Sequence, residues 1–245
     1  MKRLLLIIFV IPIIVGCAAP VIKPEKLSSI KKVSAVSLLG DELCVNYLGT
    51  TVFTKKRFSA NVENWNINEF VQQEVQNIIL ADGYYTYIDI SVNQNTFTNI
   101  YKSREAKCIK TRDFDINLIK DEIQVIRATY NVDTLIFVLE SNAPTQYYID
   151  SRTNVLIGYG LYRSSFLGIN ETVSHAFVEV LVIDTGTMEK LSAINAWGFE
   201  RIDNKYWNEG FDNLSSDDKK FVEYSIKKTL KSNLQTVLRK INIIR

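Results

Sequence analysis

Histidine occurs once in the 245-residue chain, at His175, and that count limits the chemistry the side chains can perform. His175 and Glu179 stand four apart in an apolar run that reads as a strand, so both point to one face. A Glu–His pair beside a serine is a basis for nucleophilic catalysis. The plainer reading is a polar lining at the end of a sheet, and no catalytic residue is assigned. A single histidine cannot build a multi-histidine zinc site. The three cysteines are Cys17, Cys44 and Cys108, too few for a thiolate zinc site once Cys17 is engaged elsewhere, as argued below. Cys44 and Cys108 are a possible disulfide in an oxidising compartment, or two small buried side chains. Neither a metal nor a cofactor is expected.

The segment Val182-Ile183-Asp184-Thr185-Gly186-Thr187 resembles the active-site loop of aspartic peptidases, where Asp-Thr-Gly follows an apolar strand. That chemistry needs two carboxylates sharing a proton, and the chain holds one such loop, so a peptidase would have to dimerise. A hairpin is the simpler reading. Asp184 hydrogen-bonds its own turn and Gly186 takes a left-handed conformation in a three-residue loop with a bulge. Gly158-Tyr159-Gly160 lacks the strand-to-helix context of a phosphate loop. An aromatic and basic stretch joins two strands by a long connection. Its Tyr147, Tyr148, Arg152, Tyr159, Tyr162, Arg163 and Phe166 are the candidate partner-binding residues, because Tyr and Arg are enriched at interface hot spots. The alternative is a further hairpin packed on the core. Asp150, Arg152, Asn154 and Arg163 argue against a membrane-inserted hairpin.

These residues need a scaffold. Val33 to Leu39 reads as a buried strand ended by Gly40-Asp41. Leu43 to Tyr47 and Thr50 to Phe53 suggest a meander, followed by a polar stretch to Trp65. Asn66 with Glu69 predicts a capped helix start, Phe70, Val71, Val75, Ile78 and Ile79 its apolar stripe, and Gly83 its stop. Tyr84 to Val92 has strand character. Ile116, Ile119, Ile123, Ile126 and Tyr130 keep helical period, capped by Asp113 or Asp115. Thr134 to Leu139, Val173 to Ile183 and Met188 to Phe199 are strands, the second of them central. A long helix from Ser215 or Ser216 buries Phe221, Val222, Ser225, Ile226, Thr229, Leu230, Leu234, Val237, Leu238 and Ile241. Its other face carries Lys219, Lys220, Lys227, Lys228, Lys231 and Lys240. The expected fold class is α/β (α+β): a single domain with a mixed β-sheet packed by two medium helices and a long C-terminal helix.

The start of the chain bears on location. Lys2 and Arg3 precede an uncharged run from Leu4 to Gly16, shorter than the roughly 20 residues of a spanning helix and patterned as a secretory signal. Ile14-Val15-Gly16-Cys17 resembles the lipobox of bacterial lipoproteins, over residues 1–17. The resemblance implies acylation (palmitate) at Cys17, cleavage before it, and, with Ala18 rather than aspartate next, sorting to the outer membrane. The expected organisation is a signal peptide over 1–16, lipidated Cys17 and a tether over 17–32, and a periplasmic domain over 33–245. Loss of Lys2 and Arg3 leaves 27 basic and 27 acidic residues, and a neutral domain lacks the footprint of nucleic-acid binding.

More loosely, the element order and the strand, Asp184-Thr185-Gly186 turn, strand arrangement resemble the periplasmic domains of the TolB amino-terminal region, the penicillin-binding-protein activators and the curli-secretion channel lipoprotein. The expectation is an outer-membrane-anchored, non-enzymatic binding or assembly factor. Its expected partners are the membrane, through the N-terminal lipid, and an envelope protein. A curli-type channel subunit is the alternative, and a hydrolase using Asp184 comes third.

Overall fold

The computed structural model describes residues 21–49, 55–92, 94–97, 115–142, 156–166, 169–208 and 210–245. Cys17, Cys108, Tyr147, Tyr148, Arg152 and the side chain of Phe166 lie outside them. The first element is helix α1 (Pro24–Ser29), started by a proline whose fixed φ suits the first turn. Strands β1 (Lys32–Leu38) and β2 (Glu42–Leu48) follow, then β3 (Lys55–Asn61), α2 (Ile67–Asp82) and a two-residue β4 (Thr86–Tyr87). After α3 (Gln94–Phe97) and α4 (Lys120–Tyr130) come β5 (Thr134–Glu140), β6 (Tyr159–Phe166), β7 (Ile169–Asp184), β8 (Lys190–Ile202) and α5 (Ser216–Lys240).

One mixed sheet holds all eight strands, ordered β3-β2-β6-β7-β5-β1-β4 with β8 on β7. β7 organises it. β8 pairs along Thr172 to Ile183, so β5 and β6 must share the opposite edge: β5 takes Val178 to Asp184 and β6 takes Ile169 to Ala176. They run end to end in one direction. At the join, Phe177 accepts from the Ser141 N–H at 3.1 Å and donates to the Gly158 carbonyl at 2.7 Å, while the Gly158 N–H meets the Ser141 carbonyl at 3.0 Å. The chain thus leaves the sheet after Glu140 and re-enters at nearly the same rung. β1 and β2, parallel to β5 and β6, form a second end-to-end row turned at Gly40 (φ +69°).

Helices cover both faces. Val33, Ala35, Val45, Ile136, Val138, Val178, Val180 and Val182 pack under α2 and α5. Val36, Leu135, Phe137, Leu181 and Ile183 pack under α4, through Ile119, Ile123 and Ile126. A strand buried on both sides reads as a continuous apolar run, which is why β5 is buried at every position. Each fully buried aliphatic side chain contributes about 1.5–3 kcal/mol by leaving water.

Several expectations are revised. The polar stretch after residue 54 is the edge strand β3, antiparallel to β2; Lys55, Lys56 and Arg57 suit an edge, where charge discourages pairing with another chain. Thr50 to Phe53 lies outside the described residues. Tyr84 to Val92 contributes only the two-residue β4. Asn66 does start α2, but in the left-handed region (φ 48°, ψ 47°) and with no side-chain cap bond; the left-handed region is one that asparagine tolerates. Gly83 ends the helix as read, left-handed at φ +69° with its N–H on the Ile79 carbonyl. Asp115 caps the 3-10 turn Ile116–Ile119 that leads into α4, accepting from the Asn117 N–H, and Asp113 lies outside the described residues. Ser215 caps α5 through the Asp218 N–H. Phe221 leaves the buried stripe and stacks on Tyr206 at 4.1 Å instead.

The stretch read as a tether is folded from Ile22 onward. Ile22 and Ile30 are buried and Leu27 packs on the core shared with α2 and α5. Three apolar residues in nine give α1 a side to bury, which a solvated linker would lack.

Candidate functional site

Among the described residues, a groove of about 470 Å³ lies between β8 and α5. Alternation on β8 builds it. Ile194, Ala196, Gly198 and Glu200 lie on the face that meets α5. Small residues there bring the helix close: a Cβ on Gly198 would stand 2.7 Å from Thr229 Cγ2 and 2.9 Å from Asn233 Oδ1. α5 answers with polar residues at helical spacing, Ser225, Thr229 and Asn233, inside an otherwise apolar stripe.

Ser225 lies in a chain of side-chain hydrogen bonds, and Asn233 bonds the sheet separately. Ser225 Oγ donates to Glu200 Oε2 at 2.7 Å, and Lys228 Nζ donates to Oε1 at 2.7 Å. Ser225 has one hydroxyl proton, so in its 2.6 Å contact with buried Ser174 the Ser174 hydroxyl is the donor. Asn233 Nδ2 reaches the Ala176 carbonyl on β7 at 2.9 Å. The Lys228 ammonium, then the Ser225 hydroxyl, hold the Glu200 carboxyl below its ordinary range. Satisfied buried polar networks rigidify what they join. The outer wall of the groove, with Ser232, Thr236 and Lys240 of α5, faces solvent.

The two candidates for catalysis are fixed in other roles. His175 is fully buried and stacked on Phe177 at 5.0 Å. Burial pushes its imidazole from 6.5 down to about 3, against a smaller upward pull from the Ile157 backbone. Neither ring nitrogen reaches hydrogen-bond geometry. Glu179, half-buried, is raised by burial and lowered by Lys190.

Asp184 closes a five-residue loop between β7 and β8. Its Oδ1 accepts from the Gly186 and Thr187 N–H groups at 2.8 and 2.9 Å, and its Oδ2 takes Lys26 Nζ of α1 at 3.0 Å. Burial raises this carboxyl, but the Thr187 N–H, Lys26 and the Gly186 N–H outweigh it and hold the group below its ordinary value. The hairpin reading holds with three corrections, the first being that the loop has five residues and not three. Met188 (φ 60°), not Gly186, is left-handed, and the bulge lies between Val182 and Ile183. Asp184→Asn should keep the turn and lose only the ion pair, lowering stability by no more than about 1 kcal/mol, whereas Asp184→Ala should cost about 1–2 kcal/mol. Urea unfolding checks both values, and a peptide-library digest should show no cleavage that depends on Asp184.

The described members of the aromatic stretch split across the sheet. Tyr159 and Arg163 lie toward α5. Tyr159 is buried, with its hydroxyl on the Gly40 carbonyl at 2.8 Å; Arg163 is half-buried, its guanidinium 5.3 Å from the Trp207 ring, which also meets Tyr47. Tyr162 is buried on the opposite face. The three therefore form no single exposed patch. Cys44, on that same opposite face of β2, is disulfide-bonded; both other cysteines lie outside the described residues. On α5, Lys219 bonds the Asp212 carbonyl, and Lys220, Lys227, Lys228 and Lys231 pair with Asp217, Glu223, Glu200 and Glu74. A face paired in this way is a solvated one. The groove was missed in the sequence, although Ala196 and Gly198 alternating on β8 against Ser225, Thr229 and Asn233 at four-residue spacing is a readable sign of it.

No group of three His, Cys, Asp or Glu suited to a metal ion occurs among the described residues, and no helix among them is long and apolar enough to cross a membrane. No protein family matches the chain, nor does any curated protein. Among solved structures it is similar to the lipoprotein GNA1162 from Neisseria meningitidis, at 12% identity and a TM-score of 0.37 over 87% of this chain and 99% of that one. It is also similar to the hypothetical protein CT253 from Chlamydia trachomatis, at 10% identity and 0.36 over 86% and 95%. At such identities and scores the likeness carries no argument about what this chain does.

Proposed function

We propose that this chain is a lipoprotein of the outer membrane, acylated at Cys17, whose periplasmic domain binds another envelope protein without catalysing a reaction. The observation that carries the binding role is the groove between β8 and α5. Its floor carries the buried Ser174–Ser225 hydroxyl pair, which leads to Glu200 and exposed Lys228 at the surface, so the inner part of the groove is already ordered before association. Its solvent side offers Ser232, Thr236 and Lys240 as donors and acceptors. The placement of the two weighed catalytic groups points the same way: His175 is sealed from substrate and every oxygen of Asp184 is engaged. The anchoring rests on the signal and lipobox pattern of residues 1–17.

A photoreactive amino acid in place of Ser232, an exposed position on the groove wall, tests the role in intact cells. One specific envelope protein should be recovered. Ser232→Trp should shield the groove and, with crosslinking moved to Lys240, an exposed residue of the same wall, reduce that adduct at least fivefold while the thermal midpoint stays within about 2 °C. Recovery of lipid alone from both positions would remove the proposal.

A further inference from the structure

Folding of the chain from Ile22 onward has a geometric consequence if Cys17 carries the acyl chains, and the inference here rests on that anchor. Four residue-to-residue steps lead from Cys17 to Val21, a reach of at most about 14 Å. A domain of this size is roughly 45 Å across, so the tether is shorter than the domain's radius. Only the surface around Val21 can then lie at the headgroups.

That surface has the composition of a membrane interface. Val21 and Tyr84 are exposed at 47% and 44%. Pro24, Leu27, Tyr84, Tyr85, Ile244 and Arg245 enclose a depression of about 350 Å³ between α1, the end of α2 and the residues that follow α5. The Arg245 guanidinium lies 4.7 Å from the Tyr84 ring, and exposed Lys23 precedes α1. Asp82, the acidic residue of the depression, turns its Oδ1 onto the Arg245 N–H at 2.8 Å. Tyrosine and basic side chains collect at the headgroup level of bilayers.

We infer that the face formed by Val21, Pro24, Tyr84 and Arg245 rests on the phospholipid headgroups of the anchoring bilayer and stands the sheet upright on it. Lys26 ties α1 to Asp184 at one end of β7. Ile169, at the other end, is fifteen residues away along the strand, about 50 Å at 3.3 Å per residue. The β6–β7 end therefore points away from the membrane and the groove opens sideways, parallel to it.

The test uses the full-length protein in its native membranes, with p-benzoylphenylalanine in place of Val21, Tyr84 or Ile169, all exposed positions. After irradiation, mass spectrometry counts phospholipid adducts and reads the acyl mass on Cys17. Positions 21 and 84 should give at least five times the phospholipid adduct of position 169. Equal yields with acyl chains present would overturn the orientation and leave the anchor standing. Absence of acyl mass would overturn the anchor and, with it, this inference.

Discussion

Gly160→Ala should destabilise the protein more than any other single-methyl addition at a described glycine, by about 3 kcal/mol. Gly160 lies on β6 between Cys44 of β2 and His175 of β7. A Cβ there would stand 1.9 Å from the Cys44 carbonyl oxygen and 2.8 Å from its carbon. Those atoms are backbone in the interior of a sheet, so no rotamer relieves the clash and the two strands must separate. Overpacking a core costs about 1–3 kcal/mol, and the upper end applies because a ladder is strained along with the side chains. At about 2–4 °C per kcal/mol for a chain of this size, the thermal midpoint should fall by about 10 °C. Gly186→Ala is the control. Its Cβ would meet only the Arg127 guanidinium, at 3.1 Å, which can swing away, and its midpoint should move by about 1 °C. A fall of that size at Gly160 as well would show that β2 and β6 are less closely apposed than described here.

His175→Leu should flatten the acid side of the stability profile. Folded His175 titrates at about 3 against an ordinary 6.5. Above pH 6.5 neither state binds a proton at this ring, so the folded state is at full strength. As pH falls below 6.5 the unfolded chain takes up a proton that the folded one refuses, and stability drops by up to about 1.4 kcal/mol per pH unit until the folded pKa is reached. Wild type should therefore lose about 2 kcal/mol between pH 7 and pH 5, and the leucine variant should not. At pH 7 the variant should lie within about 1 kcal/mol of wild type or slightly above it, because it removes two ring nitrogens without hydrogen-bond partners. Asp184 and Glu200, whose carboxyls are held low, contribute stability above about pH 4 that is lost only below it. Glu179 is raised and acts in the opposite sense, losing its contribution as pH rises above 4.5. Both proteins contain all three groups, so urea midpoints of the pair at each pH isolate the imidazole. Parallel profiles would mean that the ring is protonated, and therefore hydrated, in the folded state.

Elements with a strong period were legible in the sequence. β5 and β7 are apolar on both faces because helices cover both, and α5 shows its stripe and its Ser215 cap without ambiguity. What escaped was set by context. β3 is polar because it is an edge, and an edge strand under a half-covered face resembles a loop. β4 is short because only Lys32 and Val33 of β1 pair with it, a limit written in the neighbour and not in Tyr84 to Val92. α1 was hidden by the prolines and lysines around it, although Ile22 and Ile30 were there to be read. Of the site, the hairpin function of Asp184 was foreseen. The groove was not, because Gly198 and Asn233 are 35 positions apart and acquire meaning only when α5 folds back over β8.

Because the backbone departs from the sheet after Glu140 and rejoins at Gly158 on the same rung of β7, residues 142–157 amount to an insertion spliced into what is otherwise one straight strand. Loop-closure cost grows only slowly with length, so descendants of this architecture can expand, trim or replace that insertion while both ladders keep their register. Diversity between homologues should accumulate at this splice.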